Sequence, residues 1–203
     1  MKKTNLSPPS NKSKKPSQMG EIRIIGGIYR GRKLKFPALP GLRPTPDRVR
    51  ETLFNWLGQT LEGWRVLDLF AGSGALSFEA ASRGATDIIA IEHHPQTFAA
   101  LKQNAELLQA PIRLFNQDAA LALNHFSSSD TPRFDLIVAD PPFEKIDQWV
   151  PLLIEFAQQY LHPSGWLYIE SPKPLDLLPD AHKLRVYRSA TAGQVCYHLY
   201  QLA

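Results

Sequence analysis

Cysteine is nearly absent from the chain: Cys196 is the only one in 203 residues. A single thiol excludes an internal disulfide framework and fits a reducing compartment. Set between Val195 and Tyr197, it reads as a buried strand residue and not as a nucleophile. Long apolar runs are missing too. No stretch approaches the roughly 20 residues of a membrane span, and the lysine-bearing N-terminus lacks the apolar core of a secretory signal. These absences point to a cytoplasmic protein without a membrane partner. Acids are scarce at one end only. Residues 1–50 hold 13 Lys/Arg against Glu21 and Asp47, a balance of +11, whereas residues 51–203 hold 10 Lys/Arg against 17 acids, a balance of −7. A basic segment on an acidic domain implies a polyanion gripped at one end of the molecule.

What is present is a chain long enough for one domain with appendages, and apolar enough (43%) to bury a core. Residues 1–19, rich in Lys, Pro and Ser, read as a disordered basic tail. Residues 20–60 read as an extension: a hairpin over 21–36 with a basic face, a Pro/Gly-rich loop, and a helix. That helix has Thr45 as its expected N-cap, Pro46 in first position and Gly58 at its close. Val49, Leu53, Phe54 and Leu57 form its core face, which leaves Arg48 and Arg50 elsewhere on its surface. From residue 61 to 203, strands at 65–70, 87–92, 112–118, 134–140 and 166–171 alternate with helical segments. A final antiparallel pair covers 184–188 and 195–202. The alternation predicts an α/β fold: a doubly wound, mainly parallel seven-stranded sheet, with ligands at the strands' C-terminal edge.

Two motifs fall on that edge. Asp68-Leu69-Phe70-Ala71-Gly72-Ser73-Gly74 joins the first parallel strand to its helix, where glycines allow close backbone approach. The third glycine of a dinucleotide fingerprint is missing, since Ser77 stands there, and so is a Walker lysine. An acid ahead of the glycines would repel a pyrophosphate and suits a ligand with a cationic amino-acid moiety, such as S-adenosylmethionine. Glu92, ending the next strand, is placed for ribose hydroxyls; Asp118, ending the third and followed by Ala119, for an adenine amine. His93 and His94 point apart on a strand end, so no metal is expected. The second motif, Asp140-Pro141-Pro142-Phe143, follows the apolar strand 134–139. Prolines cannot continue a sheet ladder. They form a lip offering a carboxylate, backbone carbonyls and a ring, which suits a planar base with an exocyclic amine.

Together these motifs resemble class I methyltransferases that modify exocyclic base amines. The block Leu42-Arg43-Pro44-Thr45-Pro46-Asp47-Arg48-Val49-Arg50-Glu51-Thr52-Leu53-Phe54-Asn55-Trp56-Leu57 is more specific. With Arg23-Ile24-Ile25-Gly26-Gly27, Arg30-Gly31-Arg32-Lys33-Leu34 and Gly193-Gln194-Val195, it resembles the RsmD family, the bacterial 16S ribosomal RNA guanine-N2 methyltransferases of the guanine-966 type. The resemblance runs from about residue 21 to the C-terminus. It implies S-adenosylmethionine held by Asp68, Phe70, Ala71, Gly72, Ser73, Gly74, Glu92, Asp118 and Ala119. It implies a target guanine held by Asp140, Pro141 and Phe143, and RNA contacts from Arg23, Arg30, Arg32, Lys33, Arg43, Arg48 and Arg50. The implied partner is 16S rRNA in the 30S subunit or an assembly intermediate, met by a monomer. An adenine-N6 nucleic-acid methyltransferase, which can share the Asp-Pro-Pro-Phe motif, and a non-catalytic RNA-binding assembly factor on the same fold remain the alternatives.

Overall fold

A computed structural model describes residues 19–126, 132–175 and 183–202. The basic tail ahead of residue 19 and residues 127–131 and 176–182 lie outside the described residues.

Strands β1 (Met19–Arg23) and β2 (Lys33–Pro37) pair as an antiparallel hairpin. Alternation decides its two faces. Ile22, Leu34 and Phe36 are buried, whereas Arg23, Lys33 and Lys35 between them are exposed. Helix α1 (Asp47–Trp56) follows. Its N-cap is Pro46, not Thr45, which makes no capping bond and is committed elsewhere.

The remaining elements are β3 (Arg65–Asp68), α2 (Ala75–Ser82), β4 (Asp87–Ile91), α3 (Pro95–Leu108), β5 (Ile112–Phe115), α4 (Ala119–His125) and β6 (Phe134–Ala139). After a 3-10 turn at Phe143–Lys145 come α5 (Ile146–Tyr160), β7 (Leu161–Ser171), β8 (Leu184–Ala192) and β9 (Val195–Leu202). The seven strands lie in the order β5-β4-β3-β6-β7-β9-β8, and β9 runs antiparallel to both neighbours. The order reverses beside β3, and a parallel sheet opens its ligand crevice at such a point.

Strand periodicity sorts the core into two layers. Leu67, Ile89, Ile137 and Leu167 face α4 and α5. Val66, Ile88, Leu136, Val138 and Tyr168 face α1 and α2. The hairpin docks beside the second layer, with Ile22, Leu34 and Phe36 packed with Phe78, Leu101 and Leu108.

Arg50, expected among the RNA-facing side chains, belongs to this interior. It is fully buried, bonding Glu79 (3.2 Å), Asp47 (2.6 Å) and the Arg23 carbonyl (3.0 Å). Glu79 also accepts from the backbone N–H groups of Ile25 (2.9 Å) and Gly26 (2.8 Å) and from Arg83 (2.8 Å). One buried carboxylate therefore pins the hairpin, α1 and α2 together. Its donors answer its charge, as a buried ion requires.

Candidate active site

The loop between β3 and α2 is built around Gly74, whose φ of 79° lies in the left-handed region. A Cβ there would also stand 2.6 Å from the Phe78 ring, so glycine is needed twice over. The Ala71 N–H bonds the Ile91 carbonyl at 2.9 Å and the Gly72 N–H bonds Glu92 Oε2 at 2.9 Å, tying this loop to the end of β4. The second Glu92 oxygen accepts from the His94 N–H at 2.6 Å. Glu92 is buried, and both its oxygens brace backbone. A carboxylate has lone pairs beyond these for a ligand's hydroxyls. Asp118 is exposed and caps α4, accepting from the N–H groups of Ala120 (2.8 Å) and Leu121 (3.4 Å) through one oxygen.

Asp68 is buried and accepts from the Ser77 hydroxyl (2.6 Å) and the Phe70 N–H (3.3 Å). Burial pushes its carboxyl up to about 6, against the pull of these two donors. Asp140 follows β6 directly. Pro141 behind it is buried, Pro142 is exposed, and Phe143 is half-buried at the start of the 3-10 turn. No hydrogen bond reaches the Asp140 carboxylate from any described residue. Burial, then Glu170 and Asp68, hold it well above the usual carboxylate range.

Glu170 was not singled out by the sequence. It is buried near the end of β7, where its Oε1 accepts from the Thr45 hydroxyl (3.1 Å) and the Tyr168 hydroxyl (3.0 Å). Burial raises it to about 7. The rule that found Asp68, Glu92 and Asp140, an acid where a parallel strand ends, applies equally to Glu170. Register then fixes its company. Asp68 pairs with Val138, Val138 with Tyr168, and Ala139 with Ile169. Asp68, Asp140 and Glu170 therefore project from the same sheet face, the one covered by α1 and α2.

No Lys, Arg or His among the described residues forms an ion pair with any of the three. Two buried acids and a half-buried one without a cationic partner among the described residues suit a ligand that brings positive charge, and S-adenosylmethionine carries both a sulfonium and an ammonium. The expected RNA-facing side chains Arg23, Arg30, Arg32, Lys33, Arg43 and Arg48 are all exposed, with Lys33 paired to Glu21 at 2.7 Å. Arg50 is the exception, as described above.

Sheet order, glycine loop and acid-lined edge define a class I, S-adenosylmethionine-dependent methyltransferase. The family model described as "Conserved hypothetical protein 95" matches residues 22–201. Ribosomal RNA small subunit methyltransferase D of Escherichia coli (strain K12) is 42% identical over 197 residues, spanning 93% of this chain and 94% of its own. The protein of that name from Haemophilus influenzae is 38% identical, spanning 92% and 96%. The solved structure of yhhF from Escherichia coli superposes with a TM-score of 0.75 at 38% identity, covering 90% of this chain and 98% of its own. The chain belongs to this family, that of the ribosomal RNA small subunit methyltransferase D proteins.

Proposed function

We propose that the chain transfers a methyl group from S-adenosylmethionine to the exocyclic N2 of a guanine in small-subunit ribosomal RNA. The observation that carries this reading is Asp140: a carboxylate at the sheet's ligand edge with no donor among the described residues, followed by a buried proline and, three residues on, a half-exposed ring. The family relatives named for ribosomal RNA methylation supply the substrate class. When bound, S-adenosylmethionine would provide a methyl group already activated on sulfonium: as the N2–carbon bond forms the sulfur–carbon bond breaks, S-adenosylhomocysteine leaves, and the proton that N2 sheds passes to water.

Everything else is positioning. The amine lone pair of guanine is delocalised into its ring, so N2 is a weak nucleophile. Hydrogen bonds from N2 to the Asp140 carboxylate and the Pro141 carbonyl favour a pyramidal nitrogen with its lone pair toward the methyl. Phe143 stacks on the base swung out of its neighbours. Orientation of this kind can supply on the order of 7–11 kcal/mol of the barrier. Asp68 and the loop of Phe70, Ala71, Gly72, Ser73 and Gly74 hold the amino-acid end of the donor, Glu92 its ribose, and Asp118 with Ala119 its adenine. Residues 20–60 form the RNA-binding extension, and Arg23, Arg30, Arg32, Lys33, Arg43 and Arg48 meet phosphates.

The test is nucleoside analysis of small-subunit particles lacking the modification after incubation with labelled donor. N2-methylguanosine is the expected product, and N6-methyladenosine would overturn the assignment. Asp140→Ala should lower transfer by about 100-fold or more, the usual scale for removing one group that stabilises a transition state, while still binding S-adenosylmethionine. Full turnover in that variant would remove Asp140 from the reaction.

A further inference from the structure

Among the described residues Glu170 is the buried acid at this edge without a role in the scheme above, and its surroundings are specific. It sits beside Asp140 on the adjacent parallel strand, one residue beyond the Ala139–Ile169 register pair and on the same face of the sheet. Strands lie about 4.8 Å apart, so the two carboxyls are near neighbours, Glu170 buried and Asp140 half-buried. Both donors on Glu170, the Thr45 and Tyr168 hydroxyls, fall on Oε1. Thr45 comes from the loop that joins the basic hairpin to α1, and it is itself buried.

We propose that Glu170 is a positioning residue that acts on methyl transfer through Asp140, and that Thr45 and Tyr168 divide one proton unevenly between the two carboxyls. The inference rests on the proposed role of Asp140. Two acids packed this closely resist carrying two negative charges. The two hydroxyls donate to Glu170 and none among the described residues does to Asp140, so the negative charge settles on Glu170 and the proton on Asp140. The other titratable groups facing Glu170 do not reverse this. Asp68 from β3 adds negative charge. Tyr168 is itself held well above its ordinary range by burial, then by Glu170, and stays a neutral donor. Tyr197, the β9 register partner of Glu170, is also a phenol.

The consequence concerns the acceptor that N2 needs. Asp140 accepts the amine hydrogens best as a carboxylate, and Glu170 raises the pH at which it becomes one. Transfer should therefore weaken as the solution is acidified, with a midpoint set by the pair and not by Asp140 alone.

The decisive experiment follows single-turnover methylation of unmodified small-subunit particles against pH, with donor and RNA saturating, for the wild type and for Glu170→Gln, Thr45→Val and Tyr168→Phe. Glu170→Gln keeps the shape and the acceptor oxygen but removes the competing charge. Its acidic midpoint should fall by about one pH unit or more, the scale of a close like-charge pair, while the rate at the alkaline plateau stays near that of the wild type. Thr45→Val and Tyr168→Phe weaken the hold of Glu170 on the negative charge and should shift the midpoint the same way by less. They report on the pair even where Glu170→Gln folds poorly. A lowered rate at every pH with an unmoved midpoint, or a midpoint moved upward, would overturn the proposal and leave Glu170 a structural acid. The wild-type product separates the two claims: absence of N2-methylguanosine sinks the proposed function, whereas a normal product with unmoved midpoints sinks only the role of Glu170.

Discussion

At the scale of single residues, the acids of the sheet edge are held at a cost. Asp68, Asp140 and Glu170 are all raised, chiefly by burial. A carboxyl raised in the folded state binds protons there that the unfolded chain does not, so stability must fall as pH rises through the folded value. For Asp68, raised from 3.8 to about 6, ionisation above pH 6 removes about 3 kcal/mol that is fully present only below the unfolded value. Between about pH 8 and pH 5 the protein without ligand should therefore melt at higher temperature as acid is added, and Asp68→Asn should flatten that trend. Thermal melts across the window decide it; a melting point that drops with acid would refute the linkage. A cationic ligand reverses the sign locally, because it favours the ionised acids. Binding of S-adenosylmethionine should release protons, seen by calorimetry as a heat that depends on the buffer's ionisation enthalpy, and should weaken as the solution is acidified below about pH 6.

At the scale of elements, Glu79 of α2 is the joint between the extension and the sheet domain. It meets Arg50 of α1, Arg83 beyond its own helix, and two N–H groups of the hairpin's connection. Removing it strands a fully buried guanidinium, and breaking a buried pair from one side costs about 3–5 kcal/mol. Glu79→Ala should show that loss in denaturant unfolding, and Arg50→Met combined with Glu79→Leu should recover only the part due to the stranded Arg50, since the Ile25 and Gly26 N–H groups and Arg83 still lack their acceptor. A loss under 1 kcal/mol would mean that water replaces the pair. Arg50 also shows what the sequence could and could not convey. Apolar spacing locates the strands, because alternation and the glycine loops are local signals, but β7 starts five residues before 166 and β8 runs four beyond 188. The spacing that defines the buried face of α1 also includes Arg50, which stands three, four and seven residues before Leu53, Phe54 and Leu57. In the sequence alone charge outweighs periodicity, since buried arginine is rare without a partner. One partner, Asp47, stands three residues earlier but is itself exposed; the buried partner, Glu79, lies 29 residues away and leaves no mark near Arg50. Thr45 escaped for a similar reason: a hydroxyl before a helix commonly caps it, but this one donates to Glu170, 125 residues on.

At the scale of the whole molecule, the contrast of charge becomes an arrangement in space. The loop after the hairpin runs over the sheet's ligand edge, with Leu42 above Gly72 and Thr45 bonded to Glu170. Arg43 lies between those two anchors and is exposed, so the rim of the site carries a fixed positive charge. Beyond it the hairpin turns Arg23, Arg30 and Arg32 outward. A polyanion bound along this path would reach the Asp140 lip with its phosphates on the extension, and each neutralised phosphate would add to the salt dependence of binding. Replacing Arg30, Arg32 and Arg43 together by alanine should lower the slope of log affinity against log salt by about 2–3, at roughly 0.7–0.9 per contact. Lys33 is already answered by Glu21, so Lys33→Ala should change the slope by less than any one of the three. Arg50→Met, buried away from any phosphate, should leave the slope unchanged while lowering the melting temperature. Titrations of small-subunit RNA over a range of salt concentrations test all of these at once. A slope that survives loss of the three arginines, or one that falls with Arg50→Met, would place the RNA on a different face.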